Sequence, residues 1–347
     1  MGFFTNSNVK NIIIGDNVRY LNNSIANLYN GCVNFNYPVN IQRGVIDANY
    51  AFHNCRNLNS KVFIPNTVEN MFYAFGYCVN LNTAPTLENG ITSIRGMLAY
   101  CYNFNSQVVI PNSVTSLAQL FLGCNRYNAP VNIPNGVTNI YAMLSGCNNF
   151  NQPVNIPESV IEATYLFNGC GMFNKPIVFP NSVTKIEGAF SNCNNFNQPV
   201  NIPENVTSLG SLFSGCGKFN QQVLIPNKVT SISNMYHNCF VLNCPQNIGE
   251  NVVILTNAYA NCNNLGGNIY IHSKDVNNAF RMLYRHNNTK RINIFIPANS
   301  TPAMLNVLLN TQQYYSITGT GITFQKNASN NCIGYNTYNN IYIYNNL

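Results

Sequence analysis

The sequence predicts a β-rich repeat solenoid. Each 23-residue coil is expected to hold one short strand and a short helical or 3₁₀ turn, and a small α+β cap is expected at the C-terminal end. Three observations carry this prediction. First, Cys32, Cys55, Cys78, Cys101, Cys124, Cys147, Cys170, Cys193, Cys216, Cys239 and Cys262 are each 23 residues apart, and a fixed period in the range of 20–50 residues signals a solenoid or array. Second, apolar residues recur in register with those cysteines. Third, the 347-residue chain is 46% hydrophobic but only 8% charged, against about 25% charged in ordinary soluble domains.

Of the 13 cysteines, only Cys244 and Cys332 fall outside the series. Equivalent residues of adjacent coils should lie roughly 4.8 Å apart where their strands pair. The cysteines are therefore expected to form a column of small, buried, reduced thiols. Disulfides from coil to coil are geometrically conceivable, but pairing eleven equivalent residues leaves one over. His237, Cys239 and Cys244 faintly suggest zinc. Yet Cys239 belongs to the column and His237 occupies the slot of His53, so no metal site is expected.

The coil reads roughly C-x-x-F-N-x-P-V-x-I-P-x-x-V-T-x-I-x-x-M-F-x-G. The alternation of Val200–Asn201–Ile202 suits a strand, and the following Pro203 should end it, because proline cannot donate to a ladder. The V-T-x-I stretch supplies a second inward-facing edge. The M-F-x-G-C stretch is expected to turn as helix or 3₁₀. Asparagine follows the aromatic position in nearly every coil, from Asn36 to Asn243. A buried ladder of these side chains would satisfy backbone groups where the coil bends.

The expected organisation is a degenerate capping repeat over residues 1–31, about 11–12 coils over 32–297, and a cap over 298–347. The N-terminal unit keeps Ile14, Gly15, Val18 and Leu21 in register. In the cap, Thr301–Pro302 reads as the start of a short helix, and Ile317 to Gln325 and Ile341 to Tyr344 read as strands. Arg281, Arg285, His286, Lys290 and Arg291 cluster just before it; a solvated rim or a docking surface for an acidic partner are the two readings.

Composition also excludes function classes. The net charge of +7 is thinly spread, whereas nucleic-acid binding needs a dense phosphate-neutralising patch. No apolar stretch reaches the length of a membrane span, and the N-terminus lacks the pattern of a Sec signal peptide. With ten carboxylates and four histidines, and no phosphate loop or nucleophile elbow, neither enzymatic activity nor a cofactor is expected.

The repeat resembles the BspA-like leucine-rich repeat of bacterial surface proteins, through Ile110 to Ser116 (I-P-N-S-V-T-S) and Ala189 to Cys193 (A-F-S-N-C). Phe150 to Val154 and Phe196 to Val200 (F-N-Q-P-V) are similar to repeats of mycoplasma-type surface lipoproteins. The F-N-Q-P segments are also similar to the FNIP repeats of amoebae and giant viruses. The resemblance covers roughly residues 9–297. It implies a leucine-rich-repeat solenoid and non-enzymatic binding, often adhesion. Similar repeats occur in phage virion proteins, which reach the outside without a signal. A virion component for host or particle attachment is therefore the first expectation, a bacterial surface adhesin the second and a self-assembling structural subunit the third. The expected place of action is a virion or an extracellular surface.

Alternation points one residue per strand outward, eight after each cysteine. About half of that column is apolar, and Phe63, Val109, Val178, Leu224, Tyr270 and Phe295 are the candidate binding residues. The expected partner is a protein or cell-surface glycan, or further copies of the chain, since apolar surface patches tend to be interfaces.

Overall fold

The computed structural model describes residues 23–284, 292–297, 300, 304, 308, 332–336 and 341–345. The expected N-terminal repeat up to Asn22, most of the 301–309 helix, the 317–325 strand, and Arg285, His286, Lys290 and Arg291 lie outside them. The chain divides into two compact units, residues 1–182 and 183–347. Each is built from 23-residue coils.

In the first unit, the M-F-x-G-C stretch forms the spine. It consists of two successive four-residue turns, not a helix. In the coil ending at Cys124, Leu120 N–H donates to Leu117 O (3.1 Å) and Cys124 N–H to Phe121 O (3.0 Å). The third residue of each turn has positive φ, 60° at Gln119 and 72° at Gly123, as a type II turn requires. A right-handed helical turn needs negative φ throughout, so the expectation of helix or 3₁₀ at this stretch is corrected. The amides of Leu117, Gln119, Phe121 and Gly123 donate to Asn139, Tyr141, Met143 and Ser145 of the next coil, at 2.9, 2.8, 2.9 and 2.6 Å. Alternate amides thus close the turn and bind the neighbouring coil, which leaves no orphan donor in the buried spine.

The second turn needs its positive φ most. At Gly146 (φ 77°), a Cβ would come within 3.1 Å of Gly123 Cα and 3.2 Å of Gly123 N. Backbone cannot swing aside as a side chain can. Gly146→Ala is therefore expected to destabilise by about 2 kcal/mol through the strained φ and the contact. Urea unfolding checks this, and an unchanged midpoint would refute the account of the turn.

The thiols are tied into the same turns. Cys124, Cys147 and Cys170 Sγ donate to the carbonyls of Leu98, Phe121 and Leu144, each at 3.1 Å. Phe121 O thereby accepts both Cys124 N–H and Cys147 Sγ, one bond from each of two coils. In the second unit, Cys216, Cys239 and Cys262 Sγ donate in the same way to Phe190, Phe213 and Tyr236 O, at 2.9, 3.1 and 2.9 Å. All eleven ladder cysteines are buried with free thiols. Nine of the eleven sulfurs, those of Cys55, Cys78, Cys101, Cys124, Cys147, Cys170, Cys216, Cys239 and Cys262, engage backbone carbonyls.

Inside the coils run two columns of rings, three residues before and three after each cysteine. In the first unit, Phe121 packs on Tyr127 with centroids 4.1 Å apart, Phe167 on Phe173 at 4.1 Å, and Phe150 lies 6.0 Å from both Tyr127 and Phe173. In the second, Phe213 packs on Phe219 at 4.1 Å and on Tyr236 at 5.8 Å. The phenolic oxygens of Tyr127 and Tyr259 are buried without a partner. Such an oxygen forfeits its solvation for nothing. Tyr127→Phe is expected to stabilise by about 1 kcal/mol, read as a rise in the unfolding midpoint. A fall would show that the hydroxyl is satisfied.

The asparagine column forms a ladder, but at the surface. Asn36 Oδ1 accepts Asn59 N–H (2.8 Å), Asn59 Oδ1 accepts Asn82 N–H (2.7 Å), and Asn82 Oδ1 accepts Asn105 N–H (2.7 Å). These side chains are exposed, which corrects the expected burial while keeping the expected backbone bond. A second asparagine row, Asn34, Asn57, Asn80 and Asn103, links coils amide to amide at 3.3–3.4 Å.

Strands form in fewer coils than expected. In the first unit, β1 (Val39–Asn40), β2 (Val62–Ile64) and β3 (Thr86–Leu87) pair in parallel, with Asn40 opposite Phe63 and Phe63 opposite Thr86. The coils at Val131, Val154 and Ile177 keep the alternation of burial without a named strand. Proline follows each of these V-x-I segments, at Pro134, Pro157 and Pro180, and cannot make the bond that Glu88 N–H makes to Ile64 O beside β2. The V-T-x-I edge instead pairs through single bridges, Ser93 to Ser116 to Asn139 to Glu162.

In the second unit, β4 (Gln246–Ile248), β5 (Gly267–Ile271), β6 (Ile292–Ile296) and β8 (Ile341–Asn345) run parallel, and β7 (Cys332–Asn336) pairs with β8 in antiparallel fashion at the edge. The β8 strand was expected and β7 was not. Met304 and Leu308 are helical and buried, in accord with the expected short helix. A C-terminal strand laid on the last coil supplies the termination that a repeat stack needs.

Candidate functional site

The outward column of the strand segments divides in two. Val109, Val178 and Leu224 stand 81%, 69% and 79% exposed, while Val108, Ile177 and Val223 beside them are buried. The alternation that puts one valine into the core therefore puts its neighbour in water. Phe63, Tyr270 and Phe295 are half-buried. In the second unit, Tyr270 lies opposite Phe295 with stacked rings 4.9 Å apart, and Asn268 Nδ2 donates to the Tyr270 hydroxyl at 2.8 Å. In the first unit, the exposed Thr86, Asn132 and Asn155 come between the apolar rungs. The structure thus presents separate apolar steps on a polar ladder there, and a joined aromatic pair in the second unit.

A different surface escaped the sequence reading. In the first unit, Tyr50, Tyr73, Tyr77, Tyr100 and Tyr102 gather with His53 and Phe72 on the outer side of the turns. Tyr77 stacks on Tyr100 at 4.5 Å, Tyr50 on Tyr73 at 6.0 Å, and Phe72 meets Tyr73 edge-on at 4.6 Å. The His53 ring meets Tyr77 at 5.3 Å, and the Arg95 guanidinium lies 5.2 Å from the Phe72 centroid. Tyr102 is 41% exposed.

Four of these tyrosines occupy the positive-φ corners of the turns: Tyr50 (54°), Tyr73 (52°), Tyr77 (59°) and Tyr100 (61°). Elsewhere in this unit the corner one before the cysteine carries Gly31, Asn54, Gly123, Gly146 and Gly169, and the corner five before it carries Asn27, Gly96, Gln119, Ala142 and Tyr165. A bulky residue there costs roughly 1–2 kcal/mol of backbone strain. Tyrosine in place of glycine or asparagine one residue before the cysteine, at Tyr77 and Tyr100, was the signal that sequence reasoning missed.

Glycines make room for the rings. A Cβ on Gly96 would lie 2.7 Å from Tyr73 Cδ2, one on Gly123 would lie 2.4 Å from Tyr100 Cδ1, and one on Gly76 would lie 2.9 Å from Tyr73 Cδ1. Burial first, then the neighbouring phenols Tyr100, Tyr77 and Tyr50, push the Tyr73 hydroxyl up to about 12, with Arg95 opposing. Burial holds His53 below its ordinary value, which favours its neutral form. The surface therefore offers phenols, amides and one neutral imidazole, with Arg95 as its charge.

Among the described residues, no group of three His, Cys, Asp or Glu is placed to hold a metal ion. Cys239 donates to Phe213 O, while Asn261 Nδ2 contacts His237 Nε2 at 3.4 Å. No helix of the described residues is long and apolar enough to cross a membrane.

Residues 26–151 and 163–288 match the BspA type leucine rich repeat region, in six copies. Two solved structures are similar. One is a leucine-rich cell surface protein from Faecalibacterium prausnitzii, 25% identical over 70% of this chain and 75% of that one, with a TM-score of 0.49. The other is a leucine-rich repeat protein from Bacteroides ovatus, 19% identical over 78% of this chain and 87% of that one, with a TM-score of 0.48. No protein of curated function matches. With the repeat matched over most of its length, the chain belongs to the BspA-type leucine-rich repeat family.

Proposed function

We propose that this protein is a non-enzymatic recognition protein of the surface-adhesin kind, which binds a protein or cell-surface glycan through the outer face of its coils. The exposure of Val109, Val178 and Leu224 carries this reading. Three large aliphatic side chains stand in water at positions that the same column fills elsewhere with asparagine. Membership of the BspA-type family supports the adhesin reading, whereas nothing comparable supports the virion component that the sequence first suggested. An extended face of this type sums many modest contacts, with apolar rungs as anchors.

The test is substitution at the exposed rungs. Val178→Asp and Leu224→Asp are expected to leave the unfolding midpoint within about 0.5 kcal/mol of the parent, as surface changes do. They should reduce binding to bacterial or host cells at least tenfold, or shift the oligomeric state in light scattering. Unchanged binding and unchanged mass together would remove the strand face from the functional surface.

A further inference from the structure

We infer that the tyrosine cluster of the first unit is a binding site for a neutral glycan. This inference goes beyond the strand-face reading, because it concerns a different surface of the coil. Its first support is conformational. Tyr50, Tyr73, Tyr77 and Tyr100 hold positive φ in adjoining coils, at corners where glycine or asparagine would sit without strain. At the corner one residue before the cysteine, the other coils of this unit carry Gly31, Asn54, Gly123, Gly146 and Gly169, so strain kept at Tyr77 and Tyr100 is relieved in the equivalent coils, which points to a use for that place.

The second support is preorganisation. The rings are fixed before any ligand arrives, by Gly96, Gly123 and Gly76 beneath them and by contacts with one another, such as the 4.5 Å stack of Tyr77 on Tyr100. A surface already ordered loses little freedom on binding, and tyrosine combines rigid contact area with a polar tip. Among the described residues, none of the five tyrosine hydroxyls makes a hydrogen bond to protein, so each can donate to or accept from a ligand.

The chemistry then selects the occupant. Burial and the neighbouring phenols keep Tyr73 protonated and burial keeps His53 neutral, and the Arg95 guanidinium is already engaged over Phe72. What remains is a set of hydroxyls, ring edges and amides without carboxylates to attract a cation. This complements a polyhydroxylated, uncharged chain. The cluster spans three coils, roughly 15 Å at the strand spacing. That is the length of a short oligosaccharide, and small beside the roughly 800 Å² a side of a standard protein interface.

The experiment measures binding of the full chain to cellohexaose, maltohexaose, xylohexaose, mannohexaose and chitohexaose by isothermal titration calorimetry. At least one is expected to bind, and Tyr73→Asn and Tyr100→Asn should each weaken that binding at least tenfold. Asparagine is native at equivalent corners, so both variants should fold, with unfolding midpoints at or above the parent's. Tyr165→Asn supplies the control, because Tyr165 also has positive φ (57°) but lies outside the cluster; it should raise stability similarly and leave binding unchanged. Val178→Asp should also leave glycan binding intact, which separates this site from the strand face. Absence of binding to every hexasaccharide, or equal binding by the parent and Tyr73→Asn, would overturn the inference. So would binding to cells that depends on the tyrosines but survives periodate oxidation of the cell-surface sugars, since the occupant would then be a protein.

Discussion

Above about pH 9 the protein is expected to lose its fold in one steep step, complete by about pH 11, because of thiols that cannot ionise where they are buried. Burial pushes Cys55, Cys78, Cys101, Cys124, Cys147, Cys170, Cys216, Cys239 and Cys262 above the ordinary thiol value of 9.0, with Cys262 pushed up to about 12. The unfolded chain binds fewer protons than the folded one above that ordinary value. Stability is therefore fully present below it and is lost as pH rises toward the folded values. Each thiol contributes a loss of well under 1 kcal/mol at pH 9 and about 1 kcal/mol at pH 10. Nine acting together remove roughly 10 kcal/mol by pH 10, which is comparable to the roughly 5–15 kcal/mol that holds typical proteins together. The buried phenols of Tyr29, Tyr127, Tyr236 and Tyr259 are raised in the same direction and steepen the loss further up. Circular dichroism against pH checks the step, alongside thiol titration. Few thiols should react at pH 7, and nearly all above the transition. A fold that persists with unreactive thiols to pH 11 would show that the column is far more stable than this account allows.

The repeat itself was legible, because the cysteine and aromatic positions are fixed by packing. A residue that must fill the same hole in every coil recurs with the period of the coil. The turn was misread for a related reason. M-F-x-G-C has the composition of a helical turn, but its conformation is set by residues that tolerate positive φ, and Asn27, Gln119, Ala142 and Ser211 fill one such corner with four different side chains. No single residue type marks it. The strands were over-assigned because V-x-I alternation reports which side chain is buried, whereas ladder pairing depends on amides that the following prolines remove. β7 was missed because Cys332–Asn336 carries no repeat register. The strand-face residues were placed correctly as outward at Val109, Val178 and Leu224, since period-two alternation survives even where the strand does not. The tyrosine cluster was invisible to the repeat, because it is made of departures from it.

That distinction between what recurs and what departs separates structure from recognition in this molecule. The two turns, the thiol-to-carbonyl bond and the asparagine ladder repeat because they hold one coil to the next. The positions free to vary are the residue eight after the cysteine and those one and five before it, and the proposed recognition surfaces draw on them. Departures at the first position leave the backbone unstrained, so aliphatic and aromatic rungs are easily accommodated there. Departures at the other two strain it, which makes the tyrosines the more telling substitutions.

The ring columns set the largest effect of any single substitution. Phe150 is fully buried, with centroids 6.0 Å from Tyr127 on one side and 6.0 Å from Phe173 on the other, and 6.2 Å from Phe167. Phe150→Ala would remove a ring from the middle of this stack. Large-to-small core changes of this kind cost about 3–5 kcal/mol in total, lost ring contacts included. We expect a loss of about 4 kcal/mol. Because each coil touches only its neighbours, the damage should also reduce cooperativity, with hydrogen exchange accelerated most in the coils around Cys147 and least far from it. The chain supplies its own comparison. Leucine stands at the same position in the coils of Leu58, Leu81, Leu242 and Leu265, each buried at 0–1% exposure, so Phe150→Leu should cost less than half as much as Phe150→Ala. Urea unfolding of the two variants decides the matter. If they were equally destabilised, the lost ring contacts and not the lost volume would set the cost. If neither were destabilised, the column would not be the core of the coil.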